Sequence, residues 1–340
     1  MPGTIFLTAL NAVMPIILLI LLGYILRQRG FLTDSFLEVG NKLVFKLMLP
    51  TMLFINIYRI ESLSGIRWEL AFYALAAILV IFTLSLITSV LTTDVAQRRG
   101  VILQCCFRSN FVIIGLPLAA SLGGAEAEAV AAVLSAVSIP LFNVLAVISL
   151  SVFVNKQASL RKTIRRIFHD IVANPLIIAV AMGMLCLAAR WLQVEIWGSV
   201  RFRLDTQTDF FFEGLETLKN GTTALALIVL GGQFIFSAVK ELKKEILTAT
   251  LWRVVFSPLI GVGGAIVLTK LGMLHCTAAD YPALVALFGS PVAVSSAIMA
   301  KGMGNDEQLA TQLVVWTTLF SGITVFLSVC ILMATGYIAG

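Results

Sequence analysis

The chain has 340 residues, of which 59% are hydrophobic and only 12% charged, and its mean hydropathy is +0.99. Soluble domains are about 45–50% apolar and about 25% charged, so a water-soluble globule is excluded and the expected solvent is lipid. The formal net charge of +6 would suit a nucleic-acid partner, but the basic residues fall between apolar runs, as topology determinants do, which argues against one.

The first apolar run follows a handful of residues, with neither a basic leader nor a small-residue cleavage site, and reads as a retained span. A spanning helix needs about 20 mostly apolar residues. Such runs occur at about 5–26, 35–57, 68–91, 101–122, 128–153, 171–191, 209–237, 247–270, 281–300 and 307–336, which predicts ten helices. The period-2 alternation of a membrane barrel is absent, so the expected class is an all-α polytopic membrane protein. Lys and Arg set the orientation. Arg27, Arg29, Arg98, Arg99, the basic 155–170 stretch, Lys240, Lys243, Lys244, Lys301 and Arg253, near the inner end of the eighth span, fall on one side. Fewer fall on the other: Arg59, Arg67, Arg190, Arg201, Arg203 and Lys270. The positive-inside rule then puts both termini outside the cytoplasm of a bacterial inner membrane.

The 155–170 stretch reads as a cytoplasmic linker, a topology anchor, between a first five-helix unit (1–154) and a second (171–340). Units with an odd number of spans enter the membrane in opposite senses, so related halves make an inverted repeat, as in many secondary transporters. Asp34-x-x-x-Glu38 opens the second span and Asp209-x-x-x-Glu213 the seventh. Asn110 precedes Gly123 by the same interval as Pro291 precedes Gly304, and an acidic turn follows each glycine. Five cysteines without metal-type spacing read as small packing residues.

The chemistry concentrates in the fourth and ninth spans. The fourth contains Arg108-Ser109-Asn110, then Gly115 and Pro117; the ninth contains Gly289-Ser290-Pro291 and then Ser295-Ser296. A mid-span proline removes a backbone hydrogen bond and clashes with the preceding turn. Broken helices in lipid line cavities, and the N-termini of their halves present unpaired N–H groups and partial positive charge, which suit a carboxylate. Arg108 is either a counter-charge for an anion or a side chain snorkelling to the inner interface. Asn143, after Pro140 in the fifth span, and Thr317, Thr318, Ser321 and Thr324 in the tenth either face the same cavity or bond between helices. The candidate substrate-binding set is therefore Asn110, Ser109, Arg108, Gly115, Pro117, Ser290, Pro291, Ser295 and Asn143.

Glu38, Lys42 and Lys46 share one face of the second span, and Glu213, Glu216, Lys219 and Asn220 lie in the seventh. Interfacial ion pairs account for them, and a coupling or anion-attracting role is the alternative. His169 and His275 fall in or beside loops, and no intramembrane acid pair occurs, so no enzyme, catalytic residue, metal site or cofactor is expected.

At these residues the sequence resembles the auxin efflux carrier family, which includes bacterial organic-anion permeases and plant PIN-type auxin exporters. The similarity runs over nearly the whole chain. It is carried by Lys42-Leu-Val-Phe-Lys46-Leu-Met-Leu-Pro50, Ser109-Asn110-Phe-Val-Ile-Ile-Gly115-Leu-Pro117, Asn174-Pro175-Leu-Ile-Ile-Ala, and Gly289-Ser290-Pro291 with Gly302-Met-Gly304-Asn305-Asp306. The resemblance implies a ten-helix fold of the sodium/proton antiporter and bile-acid symporter type. It implies a scaffold domain from spans 1, 2, 6 and 7 and a mobile transport domain from spans 3–5 and 8–10. The fourth and ninth spans would cross at their prolines beside the substrate, with Asn110, Pro117 and Pro291 marking the site. Members move anions such as malate, malonate or indole-3-acetate, and a homodimer through the scaffold is implied as well. Two departures are visible: Thr222-Thr223-Ala224 stands before Leu225-Ala226-Leu227 where relatives often have proline, and the long central loop of many plant members is missing. The expected function is thus an elevator-type secondary carrier of a small carboxylate, driven by membrane potential or proton coupling. A Na⁺-coupled carrier of the same fold, an anion sensor that transports nothing, and a channel are the alternatives.

Overall fold

The computed structural model describes residues 2–59, 67–154, 175–234 and 240–338. The basic 155–170 stretch, His169, Asn174 and the end of the seventh predicted span at 235–237 lie outside the described residues. The described chain is helical. In order it forms α1 (Pro2–Gln28), α2 (Asp34–Leu43), α3 (Leu49–Tyr58), α4 (Trp68–Thr92), α5 (Ala96–Phe107), α6 (Leu116–Val152) and α7 (Pro175–Trp197). There follow α8 (Leu204–Gln207), α9 (Asp209–Gly232), α10 (Lys243–Leu251), α11 (Gly264–Lys270), α12 (Asp280–Gly289), α13 (Ser295–Gly302) and α14 (Glu307–Ala334). Among the described residues there is no β-strand; an isolated antiparallel bridge joins Ser109 to Val292.

Among the described residues, five stretches are long and apolar enough to cross a membrane: Trp68–Thr92, Phe111–Val152, Pro175–Trp197, Lys243–Lys270 and Glu307–Ala334. Phe111–Val152 runs for 42 residues, about twice the length a bilayer core requires. Gly123 and Gly124 divide it, Gly124 at φ +64°, a left-handed conformation that glycine adopts without a Cβ clash. The other predicted spans fall short for identifiable reasons. The second carries Glu38, Lys42 and Lys46, and the seventh carries Asp209, Glu213, Glu216 and Lys219. The fourth and ninth are interrupted, between α5 and the turn that starts at Phe111 and between α12 and α13.

Prolines inside the spans do not make those interruptions by themselves. A one-turn π-helix at Val44–Met48 precedes Pro50, another at Phe111–Gly115 precedes Pro117, and two at Trp252–Phe256 and Leu259–Gly263 flank Pro258. The wider turn makes room for the ring and leaves the missing N–H without a lost partner. The Met48 carbonyl also accepts from the Thr222 hydroxyl of α9 at 3.4 Å. Thr222 stands where the resemblance led us to expect proline, and its own turn is regular.

Two groups of helices emerge from the packing. In one, α1 lies along α9, and α3 lies between α7 and α9. In the other, α4, α5 and α6 pack with α10, α12 and α14. The first contact is unusually close: a Cβ at Gly23 would overlap the Ile228 carbonyl, and one at Gly231 would overlap that of Ile20. Small residues let backbones approach this way where lipid offers no hydrophobic drive. In the second group Arg98 bonds Glu245 on α10 at 3.1 Å and Asp306 before α14 at 3.2 Å, which ties the start of α5 to both. The groups touch where α1 packs on α14 and on α6, and also at Glu128 of α6, which accepts from Asn56 Nδ2 at 2.9 Å and lies 3.6 Å from Lys219 Nζ. Large apolar side chains such as Phe72, Leu91, Leu185, Phe210 and Leu259 face outward, as a lipid-solvated surface requires.

The chain of α10 and α11 packs flush on α12, where a Cβ at Gly261 would overlap the Phe288 ring, whereas at Gly263 it would meet nothing. Gly261→Ala is therefore expected to destabilise by about 1–3 kcal/mol, as overpacking does. Gly263→Ala is expected to be neutral or slightly stabilising. Thermal unfolding in detergent separates the two, and equal midpoints would remove the close-contact account.

Candidate functional site

The two interrupted spans satisfy each other. Arg108 leaves the helix with ψ 104° and Asn110 has φ −79°, ψ 48°. On the other strand Ser290 is extended at ψ 149°, the conformation a following proline enforces. The Asn110 N–H donates to the Pro291 carbonyl at 2.7 Å, and the Ala293 N–H donates to that of Arg108 at 3.3 Å. The Val292 N–H finds the Thr317 hydroxyl at 3.1 Å, and Gln104 Nε2 donates to the Ser296 carbonyl at 3.0 Å. In lipid each such group left bare costs several kcal/mol, so the breaks exist as a pair or not at all.

The crossing therefore falls at Ser109–Asn110 and Pro291–Val292, which corrects the expectation that both prolines meet there. Pro117 lies seven residues past Asn110, about 10 Å along a helix, and begins α6 behind its π-turn. The proline drew attention to the right span and the wrong place in it.

The carboxyl ends of the two half-helices converge on one side chain that the sequence reading had counted only as an inner-side charge. Arg253, fully buried on the π-turn after α10, donates through Nε to the Ser290 carbonyl at 2.8 Å. Its Nη1 bonds the carbonyls of Phe107 at 2.9 Å and Cys106 at 3.5 Å, and its Nη2 those of Phe288 at 2.8 Å and Leu287 at 3.1 Å. Arg253 is ten residues into its helix, about 15 Å from the start, and is no interfacial residue.

The amino ends of the second halves open on a cavity of about 300 Å³. Arg108, Ser109, Asn110, Asn143, Ser295 and Lys46 supply its polar lining, and Phe45, Phe111, Ile113, Ile139, Phe142 and Leu176 are among its apolar walls. Among the described residues no Asp or Glu lines it. Arg108 does not snorkel: it is buried, donates to Asn143 Oδ1 at 3.0 Å and rests against the Met299 sulfur. Ser109 Oγ and Asn110 Nδ2 are buried with no partner in the structure. The first amides of a helical segment also lack intrahelical acceptors. Two cations, a free amide donor and a helix start around one cavity are chemistry that suits an anion.

The structure brings together five of the nine predicted site residues here: Arg108, Ser109, Asn110, Asn143 and Ser295. Ser290 and Pro291 line a separate small cavity of about 30 Å³ with Thr318 and Ser321. Gly115 and Pro117 line neither; a Cβ at Gly115 would crowd the Ala286 carbonyl, so its part is close packing of α12. Thr317 serves the crossing backbone and Thr324 lies in a groove beside Pro258. Lys46 was read only with the charged face of the second span; its spacing from Lys42 could not reveal the cavity. Glu38 and Lys42 pair at 2.6 Å on an exposed surface, and His275 is exposed beside Glu69.

A family model described as "Membrane transport protein" matches residues 8–329. This chain belongs to that family, the auxin efflux carriers. A search of curated proteins finds no match to it. The cavity at the crossing is lined by residues of both groups of helices, which makes it the candidate site for a member of a transporter family.

Asn110→Ala and Arg108→Gln are expected to weaken binding of an anionic ligand in this cavity, with malate, malonate and indole-3-acetate as probes, by about tenfold to a hundredfold, the value of a hydrogen bond to a charged group. Asn110→Ala is expected to leave the unfolding temperature nearly unchanged, because its amide has no partner to lose. Calorimetric titration checks this; unchanged affinity in both variants would reduce the two residues to packing.

Proposed function

We propose that this auxin efflux carrier family member is a secondary transporter of a small organic anion, a carboxylate such as malate, malonate or an auxin-like indole acid. The observation that carries the reading is the acid-free cavity with Arg108, Lys46 and the unpartnered Asn110 amide at the start of a half-helix. A Na⁺-coupled carrier would want carboxylates at the crossing, and among the described residues the cavity lining holds none. Proton coupling or the membrane potential is the driving force in this reading. The ten predicted spans form an inverted repeat of five plus five in a bacterial inner membrane, with both termini outside the cytoplasm.

The mechanism is an elevator. Spans 1, 2, 6 and 7 are the scaffold, through which a homodimer forms, and spans 3–5 and 8–10 carry the anion. In support, these are the two groups into which the helices pack, and the cavity lies where they meet. The Asn56–Glu128–Lys219 cluster joins the groups and must part when one slides on the other.

Uptake of labelled malate, malonate and indole-3-acetate into proteoliposomes, under an imposed potential or pH gradient, tests the carrier. Saturable flux of one anion is the expected result, and the gradient that drives it identifies the coupling. Ligand-induced thermal stabilisation without flux would make the protein a sensor. A disulfide between Asn56→Cys and Glu128→Cys, with the five native cysteines replaced, is expected to stop flux reversibly while binding persists. Undiminished flux in the cross-linked protein would remove the elevator motion.

A further inference from the structure

Arg253 is a full positive charge inside the helix bundle whose partners are five backbone carbonyl oxygens and, among the described residues, no carboxylate. A buried charge is ordinarily paired with an opposite one. Here the negative end is supplied by geometry. Each helix carries about half a negative charge at its carboxyl end, and α5 and α12 bring two such ends to the same point. Together they amount to about one negative charge, which one guanidinium balances.

Carbonyls at the unwound turns and half-helix ends of broken transporter helices are also the usual ligands of a coupling Na⁺. We propose that Arg253 is a tethered counter-cation, filling a carbonyl cage at the crossing that takes an alkali cation when the guanidinium is removed. A co-transported ion enters and leaves with each cycle, whereas a side chain stays. The dipole ends are therefore neutralised whether the anion cavity on the amino side is loaded or empty, and binding there needs no alkali cation. The planar fork of five donors suits the part better than a lysine, because it reaches carbonyls of two helices at once. The buried Ser257 hydroxyl, which bonds the Phe288 carbonyl at 3.2 Å, is a further oxygen beside the cage. The consequence for transport rests on the anion-carrier reading; the cage itself does not.

The test compares wild type, Arg253→Ala and Arg253→Gln in sodium, potassium and choline chloride at equal ionic strength, by thermal unfolding of the purified protein. Wild type is expected to unfold at one temperature in all three salts. Arg253→Ala is expected to unfold lower in choline and to recover by about 5 °C or more, saturably, in sodium or potassium. Should Arg253→Ala fail to fold in every salt, Arg253→Gln decides, since it keeps the stem and two donors without the charge; a saturable alkali-cation response supports the cage. A salt-insensitive Arg253→Gln, or Arg253→Ala if it folds, overturns the proposal, as does a wild type that itself needs sodium. The readout requires no flux, so absence of transport with an intact salt response would sink the carrier reading alone.

Discussion

Lipid gives nothing to a bare peptide group, and this molecule contains two places where the helix stops in mid-membrane. Everything around the crossing follows from that. Asn110 and Ala293 exchange hydrogen bonds with Pro291 and Arg108 across the break, Thr317 and Gln104 reach in from the side, and Arg253 gathers the carbonyls left at the two helix ends. The two half-helix pairs are consequently held as one unit, and the helix bearing Arg253 is fastened to it again by Arg98 at the other end of α5.

The same constraint makes the crossing electrically asymmetric. On the carboxyl side a built-in cation meets the dipoles and closes the account. The amino side has no such tenant. Its polar groups face a cavity instead, with Arg108 held by Asn143, Ser109 and Asn110 lacking partners, and Lys46 contributed by the other group of helices. In the proposed reading a small anion completes that side, within a cavity of about 300 Å³. Because Lys46 and Leu176 belong to α2–α3 and α7 while Arg108, Asn110 and Ser295 belong to the crossing, relative motion of the groups would withdraw Lys46 and leave Arg108, Asn110 and Ser295 together.

Much of this was legible beforehand, and the misses are instructive. Ser290-Pro291 announced its break because a residue before proline is pushed out of the helical region by local sterics. Pro117 announced one falsely: a π-turn absorbs it, and the real interruption at Arg108–Asn110 has no breaker residue and is held open by contacts 180 residues away in sequence. Glu38–Lys42 could be paired from spacing alone, whereas Glu128 with Lys219 and Asn56 could not. Arg253 looked like one more inner-side charge, since no local pattern separates an anchor from a cap when its acceptors are backbone atoms of other helices.

By itself the sequence determined the solvent, the helical class, the family and the two spans that are interrupted. Those depend on composition, on run length and on short motifs, all local quantities. The place of the crossing, the choice of Lys46 over Gly115 and Pro117 as cavity lining, and the role of Arg253 were decided only by tertiary structure. Each depends on which backbone groups are left without water, and that is known only once the helices are packed.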